Sequence, residues 1–430
     1  MKGRIRFLDL RPLRSSRPFR DLWIGSSASQ LGWQIATVAV LAQVWELTGS
    51  PVATGAIGLA TGLPMVVFGL LGGTLADTVD RRAVVWITTV GQLLAAAGLC
   101  AQALADNRNV LLLLALVAFG ASAGALGAPA RRTFPVRLLP TDQVAAGLAL
   151  NNVSFQAAML TGPALAGLII ARWDFAAAYA VQAVAIGVSM LTVLRLPVIK
   201  PEGALTTDGR RRAERGGWRI VLRRPALWGV MATDLSATLL AMPIALFPLV
   251  NEIRFDGDPQ TLGLFLSAVA VGGISAGLLS ATVTRWPRAG VVQLTAAGIW
   301  GLALAGFGLP GPLWLALGCL AVAGAADTVS VITRSTLIQL ETPDAYRGRV
   351  SSVEHVIGVA GPELGNFRGG LLASATSATF SLVAGGLSAT LAIAAVAATN
   401  RTLRAYRTPP AVAEPPTPTV TDEAKVVGQP

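Results

Sequence analysis

The sequence predicts an all-α membrane protein, with twelve transmembrane helices in two pseudo-symmetric bundles of six. Three observations carry that expectation. Of 430 residues, 53% are apolar and only 13% are Asp, Glu, Lys or Arg, about half the roughly 25% charge of an ordinary soluble chain. Nine stretches of 20 or more residues hold no such charge: 22–45, 47–76, 83–105, 109–130, 143–171, 175–194, 259–284, 289–326 and 369–400. Each is long enough to cross a hydrocarbon layer of roughly 30 Å, which takes about 20 helical residues. Third, a basic, weakly apolar interval at 197–224 divides the chain into two halves of similar layout. These features exclude a soluble enzyme, a secreted disulfide scaffold, a disordered chain and a transmembrane β-barrel, whose strands alternate over about ten residues.

Helices are expected near 21–47, 53–77, 83–105, 110–133, 143–171, 175–196, 225–250, 260–284, 289–308, 312–335, 349–372 and 377–399. The first is expected to remain in the mature protein, because its apolar run is longer than a signal peptide's and no small-x-small site follows. Thr48-Gly49-Ser50-Pro51 ends it. Gly308-Leu309-Pro310-Gly311-Pro312 cuts the stretch 289–326 in two, since consecutive Pro and Gly favour a turn over continued helix. The segments that follow are 1–20 (N-terminal), 21–196 (first bundle), 197–224 (linker), 225–399 (second bundle) and 400–430, a tail rich in Pro and Thr that reads as disordered.

The net charge of +11 is distributed unevenly. Thirty of the 34 basic residues fall in alternate segments, and only Arg108, Arg172 and Arg254 fall in the opposite loops, with Arg368 inside a helix. That asymmetry follows the positive-inside rule and places both termini in the cytoplasm of a multi-pass plasma (inner) membrane protein. The basic balance therefore points to contact with anionic membrane lipids and not to nucleic acid. Within the halves a weak repeat is visible: Arg132-Thr133 to Asp142 stands 202 residues before Arg334-Ser335 to Asp344. Parallel halves with a midplane site are a transporter arrangement.

Ionisable groups inside a membrane are costly and mark function. Asp234 lies about nine residues into its helix and Asp327 about eight from the end of its own, so both sit roughly 12–13 Å deep at 1.5 Å per residue. Glu363 follows a Gly361-Pro362 bend. Removal from water favours the neutral carboxyl, so the three are the candidates for proton coupling, Asp234 first; a structural hydrogen bond is the alternative for each. Glu363 and Arg368 are five apart and share no ridge, so each needs a partner elsewhere. Glu354 and His355 read as a solvated face near the interface. Gln30, Trp33, Gln34 and Thr37 share one face of the first helix, and a polar, aromatic stripe there suits a wet substrate cavity. Asn151, Asn152 and Gln156 form a second polar group. The alternative for both is hydrogen bonding between helices.

Energy from ATP is not expected: lysines occur only at 2, 200 and 425, none in a Gly-x-x-x-x-Gly-Lys-Ser/Thr loop. One His and two separated Cys give no zinc site. No cofactor or metal is expected.

The segment Gly72 to Arg82 resembles motif A of the major facilitator superfamily, with Gly73, Leu75, Ala76, Asp77, Arg81 and Arg82 matching and Asp80 standing where a second Gly is usual. A tolerated left-handed turn at Asp80 is the expectation. The resemblance implies a cytoplasmic gate latch formed by Gly73, Asp77, Arg81, Arg82 and Arg132. Thr161 to Gly167 looks like the antiporter motif C. Gln43 to Ser50, Leu246-Phe247-Pro248 and Thr342 to Val350 resemble the enterobactin-exporter-like branch of that superfamily, across roughly residues 18–408. That resemblance implies a monomeric, proton-driven exporter of an amphipathic small molecule, siderophore-like or drug-like, using alternating access. The alternatives are a proton-coupled or facilitative importer of a polar nutrient, or a membrane-embedded enzyme or receptor; for the last, the chain shows neither a catalytic cluster nor an extramembrane domain.

Overall fold

The computed structural model describes residues 9–196, 219–279, 286–342 and 346–407. Most of the linker at 197–224 and the tail after 407 lie outside them. The described residues are helical almost throughout and contain no strand. The first half comprises α1 (Arg17–Thr48), α2 (Pro51–Thr78), α3 (Arg81–Leu104), α4 (Val110–Leu138) and α5 (Val144–Leu194). The second comprises α6 (Pro225–Ala241), α7 (Phe247–Phe255), α8 (Pro259–Leu278), α9 (Ala289–Gly308), α10 (Leu313–Glu341), α11 (Arg347–Ala375) and α12 (Ala378–Thr399). Among the described residues, nine spans are long and apolar enough to cross a membrane. α1 and α11 are not in that set, because their polar and charged side chains lower their hydropathy.

Helix starts follow local chemistry. Ser50, Asn109, Asp258 and Ser377 each accept a backbone N–H from the first turn of α2, α4, α8 and α12, satisfying donors that have no partner within the helix. The helices expected at 143–171 and 175–196 follow one another without a loop: α5 is two helical arms broken at Asp174, with φ 72° and ψ 177°. This is a region normally left to Gly; the Asp174 carboxylate accepts the Phe175 N–H at 2.6 Å and holds the corner. The single helix expected at 225–250 is broken between Ala241 and Phe247. Pro243 has no N–H and pushes Met242 into an extended conformation (ψ 121°). α4 and α10 run on to Leu138 and Glu341, beyond the expected ends at 133 and 335, so Arg137 is a helical residue and Arg131, Arg132 and Arg334 stand well inside their helices and not at the ends.

Packing within each half relies on close approach at small residues. Gly25 and Gly32 of α1 lie against Ser189 and Gln182 of the second arm of α5, and Gly72 of α2 lies against Leu126 of α4. In the second half, Gly272 of α8 faces Ala321 of α10, and Gly301 of α9 faces Gly386 of α12. Phe247, Phe265 and Phe307 stack edge to face at 5.4–5.5 Å between centroids. Beside them Arg254 donates to the Phe307 and Leu309 carbonyls at 2.9 Å and to Gly308, capping the C-terminus of α9.

α1 ends where α2 begins. Pro51 of α2 packs on Gly370 of α11, and Ser381 of α12 donates to the neighbouring Gly369 carbonyl. The end of α1 and the start of α12 therefore share one face, and the start of α1 and the end of α12 share the other, the termini face. The halves touch chiefly through two helix pairs, α2 with α11 and α5 with α8, with smaller contacts of α1 on α7 and α8, and the two main seams lie toward the opposite, far face. Pro51 approaches Gly370, Gly55 approaches Asn366 and Phe367, and Gly58 approaches Glu363. On the other pair Gly167 meets Pro259 and Gln260, Gly263 meets Pro163, and Ser267 Oγ donates to the Leu160 carbonyl at 3.0 Å. Toward the termini face the same helices part. Gly69, Gly277 and Gly358 have nothing within 4 Å of a would-be Cβ, and Leu63, Val67, Leu148, Val153 and Phe155 are exposed.

A candidate transport cavity between two helical halves

Glu363 stands at the inner limit of that opening. Its side chain fits between Gly58 and Gly62 of α2, 2.9 Å and 2.6 Å from their would-be Cβ atoms, within hydrogen-bonding reach of Thr61 and Asn366. Asn366 also accepts the Ala245 N–H at 3.2 Å, and Thr54 Oγ1 donates to the Ala245 carbonyl at 2.8 Å. A continuous polar link thus ties α2 to α11 and to the break between α6 and α7. Arg368 takes no part in it: its guanidinium donates to the Leu239 and Leu240 carbonyls, which the broken end of α6 leaves free.

The second charged group lies nearer the termini face. Asp234 of α6 forms a buried ion pair with Arg334 of α10, and Arg334 Nε lies 3.7 Å from Glu354 of α11. Glu354 also accepts from Ser335 at 3.2 Å, so it belongs to a buried cluster and not to a solvated face; His355 is the exposed member of that pair. Arg334 is buried and its Nε lacks a hydrogen-bond partner among the described residues. Beside it Gln293 donates to Ser330 at 2.9 Å and to Thr233 at 3.4 Å, joining α9, α10 and α6. Asp327 lies two turns along α10 from Arg334, on the same face, exposed to the space between the halves and within electrostatic range of Arg334 and Asp234.

Arg334 and Glu354 are the site residues to which the sequence reading gave no functional role. Arg334 counts there as one of the cations that set topology, at the last turn of a helix expected to end at 335. Its spacing of seven from Asp327 was the available signal, since i and i+7 share a face.

Of the stripe on α1, Trp33 is 54% exposed while Gln30, Gln34 and Thr37 are half-buried. Gln34 is pressed against Gly162 of α5, and Thr37 donates to the Trp33 carbonyl at 2.9 Å. On α5, Asn152 is exposed while Asn151 and Gln156 are half-buried. Gly162, Pro163 and Gly167, the motif C glycines and proline, form the α1–α5 and α5–α8 contacts described above.

Of the residues expected to form a gate latch, the surroundings of Gly73 and the side chain of Asp77 lie outside what the structure describes. Arg82 donates to the Leu194 carbonyl and caps α5, and Arg132 is exposed. Its neighbour Arg131 donates to Thr89 at 2.6 Å and to Gln92 at 3.0 Å. Asp80 is not left-handed as expected: with φ −52° it is the N-cap of α3 and accepts the Arg82 N–H at 3.1 Å. An acidic residue in place of Gly is thereby accounted for, since the turn needs a cap and no positive φ. No group of three or more His, Cys, Asp or Glu side chains suited to a metal occurs among the described residues.

Two helical halves sealed along one face, and parted at the other around buried charges, define a membrane transporter of the major facilitator fold. The chain belongs to the transmembrane secretion effector family, whose model matches residues 9–425. It is 26% identical over 414 residues to the enterobactin exporter EntS of Citrobacter koseri, covering 94% of this chain and 97% of that one. It is 26% identical over 384 residues to EntS of Shigella flexneri, covering 87% and 92%. Among solved structures it resembles a POT family transporter in complex with 5-aminolevulinic acid, with a TM-score of 0.73, 11% identity, and 90% and 97% of the two chains covered. It also resembles a bacterial homologue of the human lysosomal transporter Spinster in an inward-facing, unoccupied conformation, with a TM-score of 0.69, 16% identity, and 92% and 100% covered.

Proposed function

We propose that the protein is a proton-driven exporter of an amphipathic small molecule, siderophore-like or drug-like, working as a monomer in the plasma membrane with both termini cytoplasmic. The halves 21–196 and 225–399 rock about a central cavity, and the state described here opens to the cytoplasm. The observation that carries this reading is the far-face seam: it is closed down to Glu363, and beyond it the walls part and leave Asp327, Trp33 and Asn152 exposed. Export is favoured because relatives aligned over most of the chain are named enterobactin exporters. Carboxylates of the second half, Asp234, Asp327 and Glu363, give protons a place to bind from each side in turn. An ion gradient is the energy source that fits a chain with no P-loop.

The test is transport in proteoliposomes loaded with a catecholate siderophore or a cationic dye, with an imposed pH gradient. Gradient-dependent efflux that collapses with a protonophore supports the reading. Transport that ignores the gradient, while labelled substrate still exchanges, would mean a facilitator.

A further inference from the structure

At the termini face of the second half, Arg288, Arg401, Arg404 and Arg407 surround a cavity of about 520 Å³, with Val291 and Ala405 completing its wall. All four arginines are exposed. None forms an ion pair with an acid among the described residues, and the Arg404 side chain makes one described hydrogen bond, to the Ala397 carbonyl at 3.2 Å. Glu341, an acid close to this region, is already engaged by Arg224 and Tyr406. Gathered around one hollow, the four charges give it a positive potential that attracts an anion.

The floor of the hollow is built. Leu403 of the short helix Arg401–Arg404 is fully buried. Asn400 donates to the Pro225 carbonyl at 2.6 Å and accepts the Leu403 N–H at 2.9 Å. Gly290 lies directly against the Leu403 carbonyl, where a Cβ could not fit, and its N–H donates to the Tyr406 carbonyl at 3.3 Å. The start of α9 and the segment after α12 are thus locked together, and the arginines project from a fixed platform.

What lies next to the hollow indicates the kind of anion. Val291 on its wall begins a line of exposed apolar side chains that climbs α9 through Ile299 and Leu302, at spacings that keep one face. Trp286, 64% exposed, stands at the same level, as an aromatic at a membrane–water boundary does. A free anion has no use for the apolar line. A lipid does: its phosphate enters the arginine hollow and its acyl chains follow α9.

We infer that the four-arginine hollow between α9 and the segment after α12 is a binding site for the phosphate headgroup of an anionic lipid from the leaflet at the termini face. Guanidinium forks suit phosphate oxygens in two-point contact. The site needs neither the proposed substrate nor the proposed direction of transport.

The test uses the full chain in detergent, with native mass spectrometry of retained lipid after titration with phosphatidylglycerol or phosphatidylcholine. The wild type should retain phosphatidylglycerol in preference, with Arg401→Gln weakening it roughly five-fold and each further Arg→Gln at 288 or 404 by a similar factor. Arg172→Gln, on an exposed far-face residue, should change nothing. Inorganic phosphate at the same concentration should not displace the lipid; displacement would mean a free-anion site and overturn the lipid assignment. Undiminished retention in the triple variant would overturn the site itself. Should that variant fold poorly, a photoactivatable phosphatidylglycerol on the wild type decides: cross-links must fall within 286–302 and 400–407, and cross-links elsewhere refute the proposal.

Discussion

Glu363 of α11 closes onto Gly62 of α2, its Cβ and Cγ standing 2.6 and 2.7 Å from where a Cβ on that glycine would sit. No side chain larger than hydrogen is compatible with the seam as it stands. Gly62→Val should therefore pry α2 from α11 at the far face. Spin labels at Val52 and Leu371 should show a longer and broader distance in Gly62→Val than in the parent. An unchanged distribution would mean that the seam yields without opening.

The Asp234–Arg334 pair is buried across α6 and α10, and removing one partner leaves the other charged and desolvated. Arg334→Gln or Asp234→Asn alone should cost on the order of 3–5 kcal/mol, read as a large loss of thermal stability in detergent. The double substitution should recover much of that loss. Additive losses would show that the two do not act as a pair.

How far the sequence revealed this site depended on distance along the chain. The rods were legible because apolar runs and Pro-Gly breaks are local signals, as at Thr48-Gly49-Ser50-Pro51, where Gly49 does turn left-handed (φ 54°). Asp234, Asp327 and Glu363 stood out as charges within apolar runs. Their partners did not, because Arg334 is 100 residues from Asp234, and Gly58 and Gly62 carry no chemistry of their own. Arg334 also lay where a positive charge is expected at a helix end, so topology alone accounted for it. Asp80 was misread for a related reason: a residue that tolerates a left-handed turn also makes a good N-cap, and only the backbone distinguishes the two.

Two aspartates at helix corners make opposite demands. Asp80→Ala should lose a cap worth about 1 kcal/mol, and Asp80→Gly only a few tenths. At Asp174 the backbone has positive φ, so Asp174→Gly should be tolerated, while Asp174→Val should destabilise by about 1–3 kcal/mol. Thermal unfolding of the four purified variants checks the ordering. A well-behaved Asp174→Val protein would mean that the bend in α5 relaxes freely.

The proposed orientation, with both termini cytoplasmic, rests on the arginine asymmetry. On a background without Cys100 and Cys319, an impermeant thiol reagent added to intact cells should label Arg108→Cys and spare Arg210→Cys. The reverse pattern would invert the whole molecule and, with it, the side to which the cavity opens.

Coupling separates the three carboxyl groups by what surrounds them. Asp234 is already neutralised by Arg334, whereas Asp327 faces the space between the halves and Glu363 lies in the seam itself. If Asp234 exchanges the proton, substrate or proton must displace Arg334 toward Glu354, which lies 3.7 Å from its Nε and can hold it meanwhile. Asp234→Asn should then abolish uphill efflux driven by a pH gradient while sparing downhill exchange, and Glu354→Gln should slow both. Asp327→Asn, with no ion pair to break, should leave folding yield intact and so reports on coupling without that complication. Gradient-driven efflux at the parental rate in Asp234→Asn would remove Asp234 from the coupling role, and loss of it in Asp327→Asn alone would move the proton to α10.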